Sequence, residues 1–232
     1  MRGCGRGLTV LCLLLVLLTA RVFAAEDWHE AYLEGYPDGT IRPEAALSRE
    51  ELAQILYRLL PEQERETADY CWFSDVQPDR WSYPAVSKAV KLGLLYGDTE
   101  GCFHPEASVT GPELALVLNR IANTLKGSET LPMLADAWSG REISFRRGFG
   151  WVMGLQNGQF DADAPLTRAQ TAHILNELLN RQPESLDSLM IGMPIFHDNA
   201  DIGAWYFLDL QEAAVGHTFL SETWGEIWTG LG

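Results

Sequence analysis

The sequence has few basic residues and, after its first 25 residues, no long apolar run. It contains 17 lysines and arginines against 32 acidic residues, which gives a net charge of −15. Because the basic residues form no sizeable cluster, nucleic acid and anionic membrane surfaces are excluded as expected partners. Crossing a bilayer takes about 20 apolar residues in a row, so the sequence predicts no transmembrane segment in the mature chain.

Cysteine and histidine are also scarce. Cys71 and Cys102 are the two cysteines beyond the N-terminal segment. In an exported chain two cysteines permit one disulfide, and the sequence leaves open whether these two are bonded. The five histidines, at positions 29, 104, 173, 197 and 217, are scattered without ligand spacing. The sequence therefore predicts neither a metal site nor a cofactor.

The N-terminal segment has the three parts of a secretory signal. Arg2 and Arg6 precede an apolar run from Leu8 to Leu18, and small residues lead up to Ala25. This order predicts a signal peptide over residues 1–25. Those residues contain three arginines and no acid, so their removal leaves 14 basic against 32 acidic residues, a net charge of −18. We interpret this acidity as favouring solubility outside the cell.

A glycine loop followed by a Ser/Thr-led turn occurs three times. The loops are Gly35-Tyr-Pro-Asp-Gly39, Gly97-Asp-Thr-Glu-Gly101 and Gly154-Leu-Gln-Asn-Gly158, and they start 62 and 57 residues apart. The turns are Ser48-Arg-Glu-Glu51, Thr110-Gly-Pro-Glu113 and Thr167-Arg-Ala-Gln170. Repetition at such a period indicates stacked supersecondary units and favours an interaction module over an enzyme.

Two kinds of helix are predicted in each unit. Apolar residues at i, i+3, i+4 and i+7 follow each turn, namely Leu52, Ile55, Leu56, Leu59; Leu114, Val117, Leu118, Ile121; and Ile174, Leu175, Leu178. A leading helix before the glycine loop is clearest from Trp81 to Gly93 and returns from Trp205 to Gly216. It is weaker from Leu134 to Met153, and only a stub from Trp28 to Glu34 precedes the first loop.

These elements divide the mature chain into three repeats and a half. Repeat 1, with a truncated leading helix, covers residues 26–66, and repeat 2 covers 67–127. A degenerate repeat 3 covers 128–186, and a C-terminal half-repeat covers 187–232. We expect the half-repeat to pack beside the first unit and to close a ring.

The three turns fit the capping box, in which the Ser/Thr side chain and the Glu/Gln three residues later cap each other's backbone N–H. Arg49 and Arg168 stand at the first helical position, where the helix dipole disfavours a cation by about 0.3 to 1 kcal/mol. A bound carboxylate or phosphate would offset that cost, and so would a salt bridge to a neighbouring acid. The sequence leaves both open. Gly111 replaces the arginine in the second unit.

These motifs resemble the S-layer homology (SLH) domains of bacterial surface proteins. The resemblance is carried by Gly35-Tyr-Pro-Asp-Gly-Thr-Ile-Arg-Pro43 with Leu47-Ser-Arg-Glu-Glu-Leu-Ala53, by Phe73-Ser-Asp-Val76 with Trp81-Ser-Tyr83, and by Leu166-Thr-Arg-Ala-Gln170. It implies an all-α fold in which repeated helix-loop-helix units form a pseudo-threefold spindle. It also implies attachment to the cell wall through secondary cell-wall polysaccharide, often bearing pyruvate ketals, bound in grooves between units.

The resemblance further implies which residues bind the glycan. Carried over position by position, they are Ser48, Arg49, Glu51, Thr167, Arg168 and Gln170, with Asp38, Gly39 and Gly158 shaping the groove. Trp81 and Trp205 would stack on sugar or pack between units. The chain departs from the family pattern at Gly111-Pro112, at Gln170 and at Ala162, so at most two groove sites are expected.

The leading hypothesis is therefore a secreted, non-catalytic, glycan-binding module at the surface of a Gram-positive-type bacterium. The alternative is a scaffold that keeps the SLH fold, binds a surface-protein partner and has lost glycan binding, as the second unit suggests. A glycoside hydrolase needs two carboxylates roughly 5 to 10 Å apart across a sugar site. That class is disfavoured because Glu51 and Glu113 already have capping roles.

Overall fold

The computed structural model describes residues 27–66, 69–125, 164–222 and 225–232. The predicted signal peptide, the third glycine loop with Gly158, and the predicted helix over 134–153 lie outside these residues. Within the described part of the chain, no helix combines the length and the apolar character needed to cross a membrane.

The regular elements of the described chain are mostly helices, with a small sheet that joins its two ends. In order, the elements are β1 (Asp27–His29), α1 (Arg49–Arg58), α2 (Glu62–Arg65), α3 (Tyr83–Lys91), α4 (Gly111–Leu125), α5 (Arg168–Leu179), a 3-10 helix (Leu186–Ser188), α6 (Phe207–Ala214), β2 (His217–Glu222) and β3 (Gly225–Leu231).

The helices predicted after the three turns are confirmed as α1, α4 and α5. The apolar residues that set their periodicity are buried in one continuous core, together with Ala53 and Ala172. The equivalent Ala115 is buried as well. Complete capping boxes start α1 and α5, where Ser48 and Thr167 accept a hydrogen bond from the backbone of the third helical residue and that residue's side chain accepts one in return. Each box satisfies two backbone donors that the helix leaves free.

The three turns are joined to one another by backbone hydrogen bonds, which we call the turn ring. The N–H of Leu47 donates to the carbonyl of Leu166 over 2.9 Å, that of Leu166 to Val109 over 2.8 Å, and that of Val109 to Leu47 over 2.8 Å. Each turn therefore donates once and accepts once. This closed arrangement supports a pseudo-threefold spindle, which stays a proposal for the whole chain.

The C-terminal half-repeat lies against the first glycine loop. The carboxylate of Asp198 accepts hydrogen bonds from the backbone N–H groups of Ile41 and Arg42, both at 2.8 Å. Asp75 makes the equivalent pair with the second glycine loop, at 2.8 and 2.7 Å. Helix α6 packs on α5 as α3 packs on α1. These contacts support the predicted closure of the ring, which stays a prediction.

A three-stranded antiparallel sheet of order β1-β2-β3 was not expected from the sequence. His29 is opposite His217, and Asp27 is opposite Phe219. The helical stub predicted from Trp28 was wrong, because the chain is extended there and pairs with β2, and the all-α expectation did not include this sheet. The carbonyl of Ala213 on α6 accepts hydrogen bonds from the N–H groups of Tyr32 and Leu33, just after β1. Residues 217–220 alternate between buried and half-buried, as in a strand with one covered face.

The two cysteines are free thiols in the described structure. Cys71 is buried in the core. The Sγ atom of Cys102 lies 3.4 Å from the hydroxyl of Ser74. The disulfide that the sequence left open is therefore not formed.

Candidate functional site

A groove of about 580 Å³ opens between the first glycine loop, the start of α1 and the residues before α3. We call it the Trp81 groove. Its lining consists of Tyr32, Leu33, Glu34, Gly35, Tyr36, Pro37, Ser48, Glu50, Glu51, Gln54, Ile55, Trp81, Glu106 and Arg168. Residues from all three repeats therefore meet at one concave surface, as expected of a ligand site between units.

The groove has an exposed aromatic side chain at its wall. Trp81 is 57% exposed and precedes α3. Trp205 is similarly exposed, at 54%, but is absent from the lining. Its ring lies edge-on to those of His173 and Tyr206, at centroid distances of 6.0 and 5.4 Å. The structure thus places one of the two predicted tryptophans at the groove and the other elsewhere.

Arginines neutralise most of the acidic lining. Arg80 donates to both oxygens of Glu50, from Nε over 2.7 Å and from Nη2 over 2.8 Å, and also to Glu106 over 2.9 Å. These hydrogen bonds raise the pKa of Arg80 above its usual value. Arg58 forms an ion pair with Glu34. The buried carboxylate of Glu50 is therefore held on both oxygens, whereas those of Glu34 and Glu106 are paired but exposed.

Glu51 connects the helix cap to the groove. One carboxylate oxygen accepts the backbone N–H of Ser48 over 2.8 Å. The other accepts the hydroxyl of Tyr36 over 2.5 Å and Nη1 of Arg168 over 2.9 Å. Burial, and then the hydrogen bond to Glu51, raise the pKa of Tyr36.

Arg168 is almost completely buried and is held by the first unit. Besides its bond to Glu51, its Nε donates to the carbonyl of Ile41 over 2.7 Å and its Nη2 to that of Glu34 over 2.5 Å. The guanidinium carbon lies 4.9 Å from the centroid of the Tyr36 ring. A guanidinium has five N–H groups, so these three bonds hold the side chain in place and leave two N–H groups.

Arg49 repeats this arrangement at the next interface. Its Nε donates to the carbonyl of Phe103 over 2.9 Å and its Nη2 to that of Tyr96 over 2.6 Å. It also forms an ion pair with Glu113, and burial lowers its pKa. Arg49 does not line the Trp81 groove. Of the two ways to offset a cation at a helix start, the structure uses the salt bridge at both arginines.

The arginines follow a cyclic order. The arginine of the third unit pairs with the capping glutamate of the first, and that of the first pairs with the capping glutamate of the second. By this order the third pair would be Gly111 with Gln170, where both charged groups are missing. We infer that Gly111 and Gln170, which looked like separate departures in the sequence, together mark the loss of one ion pair.

The other predicted site residues serve the local fold. Thr167 and Gln170 form the cap of α5. The carboxylate of Asp38 accepts hydrogen bonds from Thr40 and Arg42 within the first glycine loop. Those from Thr40, and then that from Arg42, lower the pKa of Asp38 to about 2.

Gly39 has a φ of +80°, and a Cβ atom there would lie 3.0 Å from the imidazole of His197. The position thus favours glycine both for its backbone conformation and for space. Four predicted residues remain at the Trp81 groove, namely Ser48, Glu51, Trp81 and Arg168.

Sequence reasoning missed several lining residues. Tyr36 lies inside the first glycine loop and shares Glu51 with Arg168. Its aromatic ring between the two loop glycines was a usable signal. Glu50 follows Arg49 in the turn, and its pairing with Arg80 joins residues 30 positions apart, which no local pattern indicates.

Comparison with known proteins places two segments in a described family. Residues 30–53 and 73–115 match the S-layer homology domain. The chain is 28% identical over 208 residues, 84% of its length, to cell surface glycoprotein 1 of Acetivibrio thermocellus. It is 25% identical over 200 residues, 82% of its length, to the cellulosome-anchoring protein of the same organism. It is also 27% identical over 125 residues, 53% of its length, to the S-layer protein sap of Bacillus anthracis.

The matched region is a minor part of each relative. It covers 9% of cell surface glycoprotein 1, 43% of the cellulosome-anchoring protein and 15% of the S-layer protein sap. The names of these relatives describe surface or anchoring proteins, and each is more than twice as long as the matched region.

Proposed function

We propose that the chain is a cell-surface protein of the S-layer homology domain family and that it anchors to the bacterial cell wall by binding secondary cell-wall polysaccharide, because two of its segments match that domain and its relatives are surface or anchoring proteins. The proposed role is non-catalytic, and the Trp81 groove is the proposed binding site. The observation that carries it is the meeting of Ser48, Glu51, Trp81 and Arg168 at one concave surface.

The chemistry of the groove suits a sugar chain. An exposed indole offers an apolar face on which a pyranose ring can stack. The carboxylates of Glu50 and Glu106 can accept hydrogen bonds from sugar hydroxyls. Arg80 and Ser82 hold Glu50 in place before the ligand arrives, which reduces the entropy lost on binding.

A pyruvate ketal on the polysaccharide is the finer part of the proposal. Arg168 is the lining residue that carries a positive charge, and its guanidinium, buried and paired with Glu51, would attract a ketal carboxylate bound in the groove. The neighbouring Glu51 opposes a second negative charge, so a single ketal carboxylate fits better than a polyanion.

A pull-down with purified cell-wall sacculi tests the site. Trp81→Ala removes the stacking surface and is expected to lower binding by about tenfold, because a well-placed aromatic contact contributes on the order of 1 to 2 kcal/mol. Trp205→Ala is the matched control, since this side chain is equally exposed but lies outside the groove. Equal loss in both variants, or in neither, would contradict the proposed site.

The same assay separates the ligand classes. Sacculi are compared before and after mild-acid removal of ketal groups, and we expect weaker binding afterwards. Binding that survives this treatment but still requires Trp81 would refute the ketal and leave the groove intact. Absence of binding by the wild-type chain would favour the alternative of a scaffold for surface proteins.

A further inference from the structure

Four side chains that are distant in sequence meet beside the sheet, outside the Trp81 groove. They are His29 on β1, Glu212 on α6, His217 on β2 and Glu226 on β3, and one ligand atom from each lies within 4.8 Å of all the others. The last three are buried, and His29 is partly buried. The sequence shows no ligand spacing for these residues because each ligand comes from a different element.

Most of the distances between these atoms are close to those within a metal-ligand shell. Nδ1 of His29 lies 3.2 Å from Oε1 of Glu212 and 3.4 Å from Oε2 of Glu226. Nε2 of His217 lies 3.3 Å from Oε2 of Glu212 and 3.9 Å from Oε2 of Glu226, so Glu212 faces the two imidazoles with different oxygens. A tetrahedral zinc ion with ligands at about 2.0 to 2.2 Å separates neighbouring ligand atoms by about 3.3 to 3.6 Å.

Two of the converging atoms have no hydrogen-bond partner in the described chain. They are Nε2 of His217 and Oε2 of Glu226, both buried. A buried polar atom without a partner is costly and calls for an explanation. A cation coordinated by both atoms would supply one.

Neighbouring groups orient the ligands. Nδ1 of His217 lies 2.8 Å from the carbonyl of Val215, which fixes the proton on Nδ1 and directs the lone pair of Nε2 toward the carboxylates. The indole of Trp228 stacks on the same imidazole at 3.9 Å and donates to Glu212 over 3.1 Å. Supporting contacts of this kind are typical of metal-binding histidines.

We propose that His29, Glu212, His217 and Glu226 bind one divalent transition-metal ion, with zinc as the best fit. Two imidazoles and two carboxylates suit zinc, whereas calcium requires six to eight oxygen ligands. The positive charge of Arg181 also interacts electrostatically with the carboxylates of Glu212 and Glu226. The ion would fasten β1 to α6 and to the β2–β3 hairpin, and so would join the two ends of the described chain.

The test uses the purified full chain after dialysis against a chelator. Zinc titrated by calorimetry is expected to bind with a stoichiometry of one and to raise the Tm, while calcium and magnesium at the same concentration leave the Tm unchanged. Cobalt(II) is expected to give the intense visible absorption of a tetrahedral complex. His29→Gln is expected to weaken zinc binding by more than about tenfold. His173→Gln, which removes a histidine outside the cluster, is the matched control.

The alternative is that protonated imidazoles pair directly with the two carboxylates. That arrangement predicts no zinc-dependent rise in Tm and no cobalt absorption, and either result would overturn the proposal. Equal zinc affinity in wild type and His29→Gln would also overturn it. Because His29 is partly exposed, this variant is expected to fold, which far-ultraviolet circular dichroism checks. His217→Gln provides a second measurement at the buried side of the cluster.

Discussion

Neutralising Glu51 should destabilise the whole fold, because this carboxylate compensates a buried guanidinium of another repeat. Arg168 is 3% exposed, and its Nη1 donates to Oε1 of Glu51 over 2.9 Å. Glu51→Gln keeps the size of the side chain, but its single carbonyl oxygen can accept either from the N–H of Ser48 or from Tyr36 and Arg168. The substitution therefore removes the charge together with one of these two sets of hydrogen bonds.

The magnitude follows from the burial of the pair. Removing one partner of a fully buried ion pair costs about 3 to 5 kcal/mol, and one hydrogen bond to a charged group contributes about 1.5 to 3 kcal/mol. The Glu51 side chain is 19% exposed, so water partly screens it. We expect Glu51→Gln to lower the free energy of unfolding by about 2 to 3 kcal/mol.

Urea unfolding measures the free-energy change in a double-mutant cycle of wild type, Glu51→Gln, Arg168→Met and the double variant. The expected coupling free energy between positions 51 and 168 is about 2 kcal/mol. Glu62→Gln, at an exposed first-turn position, serves as the control and should change stability by less than about 0.5 kcal/mol. A coupling below about 0.5 kcal/mol would refute the claim that this ion pair joins the third repeat to the first.

Three further predictions concern the loops, a titrating pair and the ring. Gly39→Ala should cost more stability than Gly101→Ala, because both glycines have φ near +80° but only a Cβ at position 39 meets a neighbouring imidazole; equal losses in urea unfolding would contradict this. The hydrogen bond to Asp209 raises the pKa of His173. The stability advantage of wild type over His173→Gln should therefore be full below pH of about 6.5 and disappear as the pH rises through the raised pKa. A stability difference that does not change with pH would contradict this prediction. Deleting residues 190–232 should abolish the cooperative thermal transition, and an unchanged melt would contradict ring closure.

The sequence predicted the elements whose determinants are local. Helices α1 and α5 begin where their capping boxes indicated, because capping and apolar periodicity act within a few residues. Motifs within one repeat also pointed to Trp81 and Ser48, and both line the Trp81 groove. Features that depend on neighbouring residues can therefore be predicted from a single sequence.

The ion pairs and strand pairings between distant parts of the chain could not be predicted from local patterns. Arg168 was singled out because a cation is unfavourable at a helix start, but its acidic partner Glu51 lies 117 positions away. The sheet and the histidine-glutamate cluster were missed because β1 and β2 are almost 190 residues apart and β1 has only three residues. Such a short strand has no periodicity of its own and is defined by the strand it pairs with.

The turn ring has a consequence for how the protein opens. A linear array of repeats frays from its terminal units, which exchange their amide hydrogens first. In the turn ring, each of Leu47, Val109 and Leu166 gives and receives one bond, so no turn is terminal. Separating one turn would leave a buried donor and a buried acceptor without partners on the remaining two. The three amides should therefore exchange with deuterium at one common rate, set by unfolding of the entire ring.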